Sequence, residues 1–129
     1  MEDAKFYRCN HCGNIVAVVV DGGVTPACCG EPMELLVADT TDAATEKHVP
    51  VAKVENNNLH VTVGEVEHPM TEKHYIQWIA LVSGSRINIK KLTPEDKPEC
   101  YFGACANGYK TPHTVYAYCN LHGLWKCEL

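Results

Sequence analysis

No stretch of this 129-residue chain stays apolar for long. The longest such run, residues 15–20 (Ile-Val-Ala-Val-Val-Val), falls far short of the roughly 20 residues a membrane span requires. It is expected as a short buried strand, with no membrane partner. A basic stretch is missing as well: the formal net charge is −5, and nothing in the chain would neutralise a phosphate backbone, which excludes a nucleic-acid partner. A small anionic substrate stays open, because the local field at a site outweighs net charge. The first residues, Met-Glu-Asp-Ala-Lys, lack the apolar core of a secretory leader, so the cytoplasm is the expected location. No amphipathic helical pattern stands out, and nothing repeats beyond two cysteine knuckles.

What the chain has instead is eight Cys and seven His. In a reducing compartment such cysteines serve more often as metal ligands or reactive thiols than as disulfides. Cys9-Asn10-His11-Cys12-Gly13 and Cys28-Cys29-Gly30 are read as a pair at each end of one hairpin, with Asp21-Gly22-Gly23 as a turn between them. Neighbouring side chains diverge in an extended strand, so Cys28 and Cys29 share one ion only where the backbone bends. Four thiolates suit tetrahedral zinc or iron, and the spacing does not choose between them. A segment of about 36 residues has too little core to fold unaided, so the metal would supply much of its stability.

Residues 37–45 are small, polar and acidic and read as a link, which predicts domains at 1–37 and 38–129. Beyond it, short segments alternate at period two or are rich in β-branched and aromatic residues. They lie at 49–54, 59–64, 74–82, 86–90 and 114–118, separated by turn signals such as Asn56-Asn57-Asn58 and Ser83-Gly84-Ser85. This pattern predicts an all-β sandwich.

Near the end of the chain, Cys119 and His122 stand three residues apart ahead of Gly123, able to turn a thiolate and an imidazole toward one point. His48, His68 and His74 lie at strand ends or in turns, where a rigid β scaffold displays functional groups. Together with Cys119 and His122 they form a candidate second constellation. His60 alternates with Val61 and Val63 and reads as a solvent-face residue, and His113 as a loop residue without a sequence partner.

Cys9-x-x-Cys12, Cys28-Cys29-Gly30-Glu31-Pro32-Met33, Glu46-Lys47-His48-Val49-Pro50, His68-Pro69-Met70, Glu72-Lys73-His74-Tyr75-Ile76 and Cys119-Asn120-Leu121-His122-Gly123 follow one another in an order that resembles desulfoferrodoxin. That is the family of two-iron superoxide reductases. The resemblance runs over almost the whole chain. It implies a desulforedoxin-like N-terminal unit with iron on Cys9, Cys12, Cys28 and Cys29, then an immunoglobulin-like β-sandwich with a second iron. There His48, His68, His74 and His122 would form a square plane with Cys119 axial, leaving one octahedral position open to superoxide. Lys47 is the implied residue for attracting the anion and ordering a proton-supplying water, and Glu46 the implied sixth ligand of the resting ferric state. A rubredoxin-like electron donor and a homodimer are implied too. Cys100, Cys105 and Cys127 fall outside the pattern. They are expected as packing residues, with a Cys100–Cys105 redox pair as the alternative.

Three other functions compete. A pure electron carrier needs no open site, and a zinc-stabilised interaction module would use four ligands and be colourless. A dismutase would evolve oxygen from superoxide.

Overall fold

Alternation at period two shapes the larger of two compact units, Ala38–Leu129; the smaller is Glu2–Val37. The computed structural model describes residues 4–84, 86–103, 108–110 and 112–129. Among these, no helix is long and apolar enough to cross a membrane.

In the smaller unit β1 (Phe6–Arg8) lies between β2 (Ile15–Ala17) and β5 (Glu34–Leu35), and β3 (Ala27–Cys28) pairs with β4 (Glu31–Pro32). The single hairpin expected from the cysteine spacing is therefore two. Cys9 and Cys12 sit in the turn joining β1 to β2, which closes on itself through Gly13 N–H to Cys9 O (2.9 Å) and Cys9 N–H to Asn14 O (2.8 Å). The second pair sits in the β3–β4 turn. Residues 15–20 do not form the buried strand expected of them. Only 15–17 are strand, and Val19 and Val20 are 82% and 86% exposed. So small a unit has no interior left for them: Phe6 is buried, and Tyr7, Cys9 and Met33 form a small core cluster with Val18 and Cys28 packed alongside.

The larger unit is the expected β-sandwich. One sheet has the order β10 (Glu99–Phe102), β7 (Asn58–Val63), β6 (Pro50–Glu55). The other runs β12 (Gly123–Glu128), β11 (Thr114–Cys119), β8 (Ile76–Ser83), β9 (Arg86–Lys91). Leu59, Val61, Val63 and Phe102 of the first sheet meet Ile79, Leu81, Val115 and Ala117 of the second in one buried core. The alternating positions 60 and 62 face outward, as period two requires.

Two local features were not expected. A single helical turn, α1 (Thr45–His48), closes the stretch read as a link, with Val49 N–H bonded to Thr45 O. The link itself is pinned: Asp39 N–H donates to Leu124 O (2.9 Å) and Asp39 Oδ1 accepts from Lys126 N–H (3.2 Å).

After β7 the chain turns at Gly64 (φ +85°), where Gly64 N–H bonds Val49 O and Val66 N–H bonds Glu46 O, both at 3.1 Å. A Cβ here would collide with the Val66 carbonyl oxygen and stand 2.8 Å from both Glu46 O and Lys47 C. Gly64→Ala is expected to destabilise the sandwich by roughly 2–5 kcal/mol, from left-handed strain plus overpacking. Gly108→Ala is the control. It has a comparable φ (+66°) with its nearest atom 3.7 Å away, so only the backbone cost of about 1–2 kcal/mol remains. Equal losses in denaturant unfolding would contradict the steric account.

Candidate metal centres

The two cysteine turns bring their sulfurs together. Cys12 Sγ and Cys28 Sγ are 3.7 Å apart, Cys28 Sγ and Cys29 Sγ 3.9 Å. All four sulfurs, with that of Cys9, lie within 4.8 Å of one another. Four sulfurs about 2.3 Å from one tetrahedral ion would be about 3.8 Å apart. Cys29 achieves the bend its neighbour requires by taking φ +53°. The Cys12 and His11 amides aimed at Cys9 lower its thiol to about 6. Cys29, hydrogen-bonded to Cys9, Cys12 and Cys28, is pushed up to about 12. Four adjacent thiolates repel, so a full set of four requires a cation. His11 and Glu31 pair at 3.0 Å, joining one turn to the other at an exposed rim.

In the sandwich each histidine arrives from a different element. His48 ends α1, His68 follows the Gly64 turn, and His74 sits in the bridged turn Thr71–His74 ahead of β8. His122 lies in the β11–β12 turn that Gly123 (φ +79°) permits. Their rings form a closed four-membered arrangement. Neighbouring centroids are 4.7 Å (His48–His68), 4.7 Å (His68–His74), 5.0 Å (His74–His122) and 4.9 Å (His122–His48), all near perpendicular. Across the ring His48 and His74 are 6.4 Å apart. Cys119, fully buried at the end of β11, places Sγ 3.9 Å from His122 Nδ1. The ligand atoms of His48, His74, Cys119 and His122 lie within 4.8 Å of one another. His68 stands outside that tightest group, yet its Nε2 is 3.2 Å from His48 Nε2.

The protons decide whether a metal fits. His48 Nδ1 is 2.6 Å from Ala44 O, and His68 Nδ1 is 2.7 Å from Pro69 O. A carbonyl only accepts, so both Nδ1 atoms carry hydrogen and both Nε2 atoms present lone pairs. Those lone pairs face each other at 3.2 Å, and His48 Nε2 also meets His122 Nδ1 at 3.1 Å. Nitrogens bound side by side to one ion about 2.1 Å away would be about 3.0 Å apart. His74 Nε2 is buried with no hydrogen-bond partner. Burial lowers the pKa of His48 and His74 and takes His68 down to about 4. Burial raises the Cys119 thiol, against the pull of the Leu121 and His122 amides. Neutral imidazoles with unpaired lone pairs around a thiol that ionises only beside a cation fit a transition metal.

Glu46 and Lys47 are exposed on α1. Glu46 lines a groove with Glu65, Cys127 and Leu129. His60 is on the outer sheet face, held by Glu99 (2.9 Å) and stacked on Tyr101, as expected of a solvent-face residue. His113 is a loop residue but a buried one, its ring 5.1 Å from Tyr109. Cys100 and Cys127 pack against the core, where burial pushes their thiols up to about 12 and about 11. Cys105, and with it the alternative Cys100–Cys105 pair, lies outside the described residues.

Two residues that support the centre were not singled out from sequence. Trp125 stacks on His48 at 5.0 Å and donates its indole N–H to His122 O (3.0 Å). Asn120 ties the Cys119 loop to the segment around His74. Their position beside the Cys-x-x-His spacing was the available signal.

These features define a two-centre β metalloprotein, with a closed four-cysteine site in a small unit and a histidine–cysteine site in a sandwich. The family profile for desulfoferrodoxin matches residues 40–128, and that for the desulfoferrodoxin N-terminal domain matches residues 1–36. The chain belongs to the desulfoferrodoxin family, whose members bind two iron centres. It is 48% identical to a desulfoferrodoxin of Clostridium acetobutylicum over 127 residues, 98% of both chains. It is 50% identical to one of Nitratidesulfovibrio vulgaris over 124 residues, 96% of this chain and 95% of that one. Among solved structures it is similar to the superoxide reductase from Treponema pallidum. The TM-score is 0.78 at 32% identity, over 98% of this chain and 99% of that one.

Proposed function

We propose that the protein is a superoxide reductase, catalysing superoxide plus one electron and two protons to hydrogen peroxide. The observation that carries this is the closed ring of four imidazoles, each from a different element, with one buried thiol beside it. His48, His68, His74, His122 and Cys119 would hold the catalytic iron, and Cys9, Cys12, Cys28 and Cys29 the other. Iron held by these residues would supply the single electron in its ferrous state.

The chain's own groups do the rest. Cys119, buried and facing the Leu121 and His122 amides, would provide an anionic sulfur that donates electron density to the iron, as ligating thiolates do in haem enzymes. Trp125 and the Ala44 and Pro69 carbonyls hold His48 and His68 in the tautomer that offers Nε2. Lys47 adjoins His48, and its charge acts at both His48 and His74, behind burial and neighbouring imidazoles. It attracts the anion and holds the water that delivers a proton. Glu46, exposed on α1, would be the carboxylate that ligates the oxidised iron when no anion is there.

Lys47→Ala is expected to slow the second-order reaction with superoxide by about tenfold at low salt, and to flatten its salt dependence. An unchanged low-salt rate contradicts the steering role. Glu46→Ala should remove the pH dependence of the ferric spectrum, and an unaltered dependence contradicts the ligand role.

Four thiolates would saturate a tetrahedral ion, so the four-cysteine site would pass electrons or hold structure. The family resemblance supports a cytoplasmic homodimer served by a rubredoxin-like donor. Sedimentation at micromolar concentration and reduction by purified rubredoxin test those two points.

A further inference from the structure

His48 and His68 are aimed by carbonyls that accept from their Nδ1 atoms. The His74 ring makes no hydrogen bond among the described residues, and its Nε2 is buried. What holds this imidazole is its backbone. On one flank Thr71 N–H bonds His74 O (2.9 Å) and His74 N–H bonds Thr71 O (3.1 Å). On the other stands Asn120, which lies 45 residues after Tyr75 in sequence. Its Nδ2 donates to Lys73 O (3.0 Å) and its Oδ1 accepts from Tyr75 N–H (2.9 Å). Its own N–H donates to Tyr75 O (3.2 Å). One carboxamide therefore grips the peptide units immediately before and after His74, using its donor on one and its acceptor on the other.

We propose that Asn120 is the positioning residue of His74: its carboxamide fixes where that imidazole stands relative to the Cys119 sulfur, one residue away along the chain. The assignment rests on the reading of His74 and Cys119 as ligands of one iron. It follows from what each side chain offers. Aspartate at 120 would keep an acceptor for the Tyr75 amide but would set an anionic oxygen against the Lys73 carbonyl. Alanine would keep only the backbone bond to Tyr75 O. Groups that orient a metal ligand without touching the metal are worth about 10–100-fold in affinity.

The test compares the iron-loaded protein with Asn120→Ala and Asn120→Asp. The readouts are iron release to a chelator, the visible thiolate–iron absorption, and amide hydrogen exchange of Tyr75 in zinc-loaded samples. In Asn120→Ala, release from the histidine–cysteine centre should speed by about tenfold or more. The thiolate band of that centre should move while the four-cysteine band stays, and the Tyr75 amide should lose protection. Asn120→Asp should keep Tyr75 protected and still release iron faster than wild type. A Tyr75 amide that stays protected in the alanine variant overturns the proposal. So does wild-type iron release with an unmoved band in both variants. If the alanine variant does not fold, iron release from the aspartate variant decides alone. None of these readouts uses superoxide, so a wild-type protein inert toward superoxide would sink the proposed activity and leave this assignment standing.

Discussion

Cys119→Ser is expected to remove the thiolate–iron absorption of the histidine–cysteine centre. Superoxide reduction should fall by more than about a hundredfold, since even residues that only orient a ligand cost 10–100-fold. Cys119 has no exposed surface: at the end of β11 it continues the inward-facing set of Val115 and Ala117. Burial holds its thiol protonated until a cation arrives, while the Leu121 and His122 amides stand ready to stabilise the thiolate. Serine fits the space, but its hydroxyl ionises far less readily and its oxygen donates less electron density. The four-cysteine absorption is the internal standard: it should be unchanged, because those ligands belong to the other unit. Retention of both bands with a wild-type rate contradicts Cys119 as a ligand.

Stripping the metal should unfold one unit and spare the other. Among its described residues the small unit clusters Tyr7, Cys9 and Met33, with Phe6 also buried, while Val19, Val20 and Val24 are more than four-fifths exposed. Metal binding supplies about 10–16 kcal/mol in comparable small thiolate sites, more than such a core can replace. In metal-free protein at neutral pH, the amides of β1 and β2 should exchange rapidly and trypsin should cut at Lys5 and Arg8. The strands of the sandwich should stay protected, because their core of Leu59, Val61, Ile79, Leu81, Val115 and Phe102 needs no metal. Persistent protection of β1 in the metal-free state would contradict a metal-dependent fold.

Much of this architecture was legible because the chain writes it at short range. Period-two alternation or runs of β-branched and aromatic residues marked β6, β7, β8, β9 and β11 to within a residue or two. The cysteine pairs with their glycines, and the histidines at strand ends, name residues that stand together in space. The failures have physical causes. β10 follows Pro98 and has exposed Tyr101 beside buried Phe102 in only four residues, too short for a period to show. In β12 the adjacent Leu124 and Trp125 are both buried, which breaks alternation. Residues 15–20 look like a core strand by composition, but the unit is too small to cover them. The link reads as free chain because its anchors, Leu124 and Lys126, lie far off in sequence. Asn120 was hidden for the same reason: its partners are 45 and 47 residues away.

The measurement that bears most directly on the proposed activity is a single-turnover reaction of the fully reduced protein with superoxide in the absence of oxygen. Hydrogen peroxide formed in proportion to iron oxidised, with no oxygen released, is the expected result. Release of oxygen, or iron that stays reduced while superoxide disappears, would contradict it.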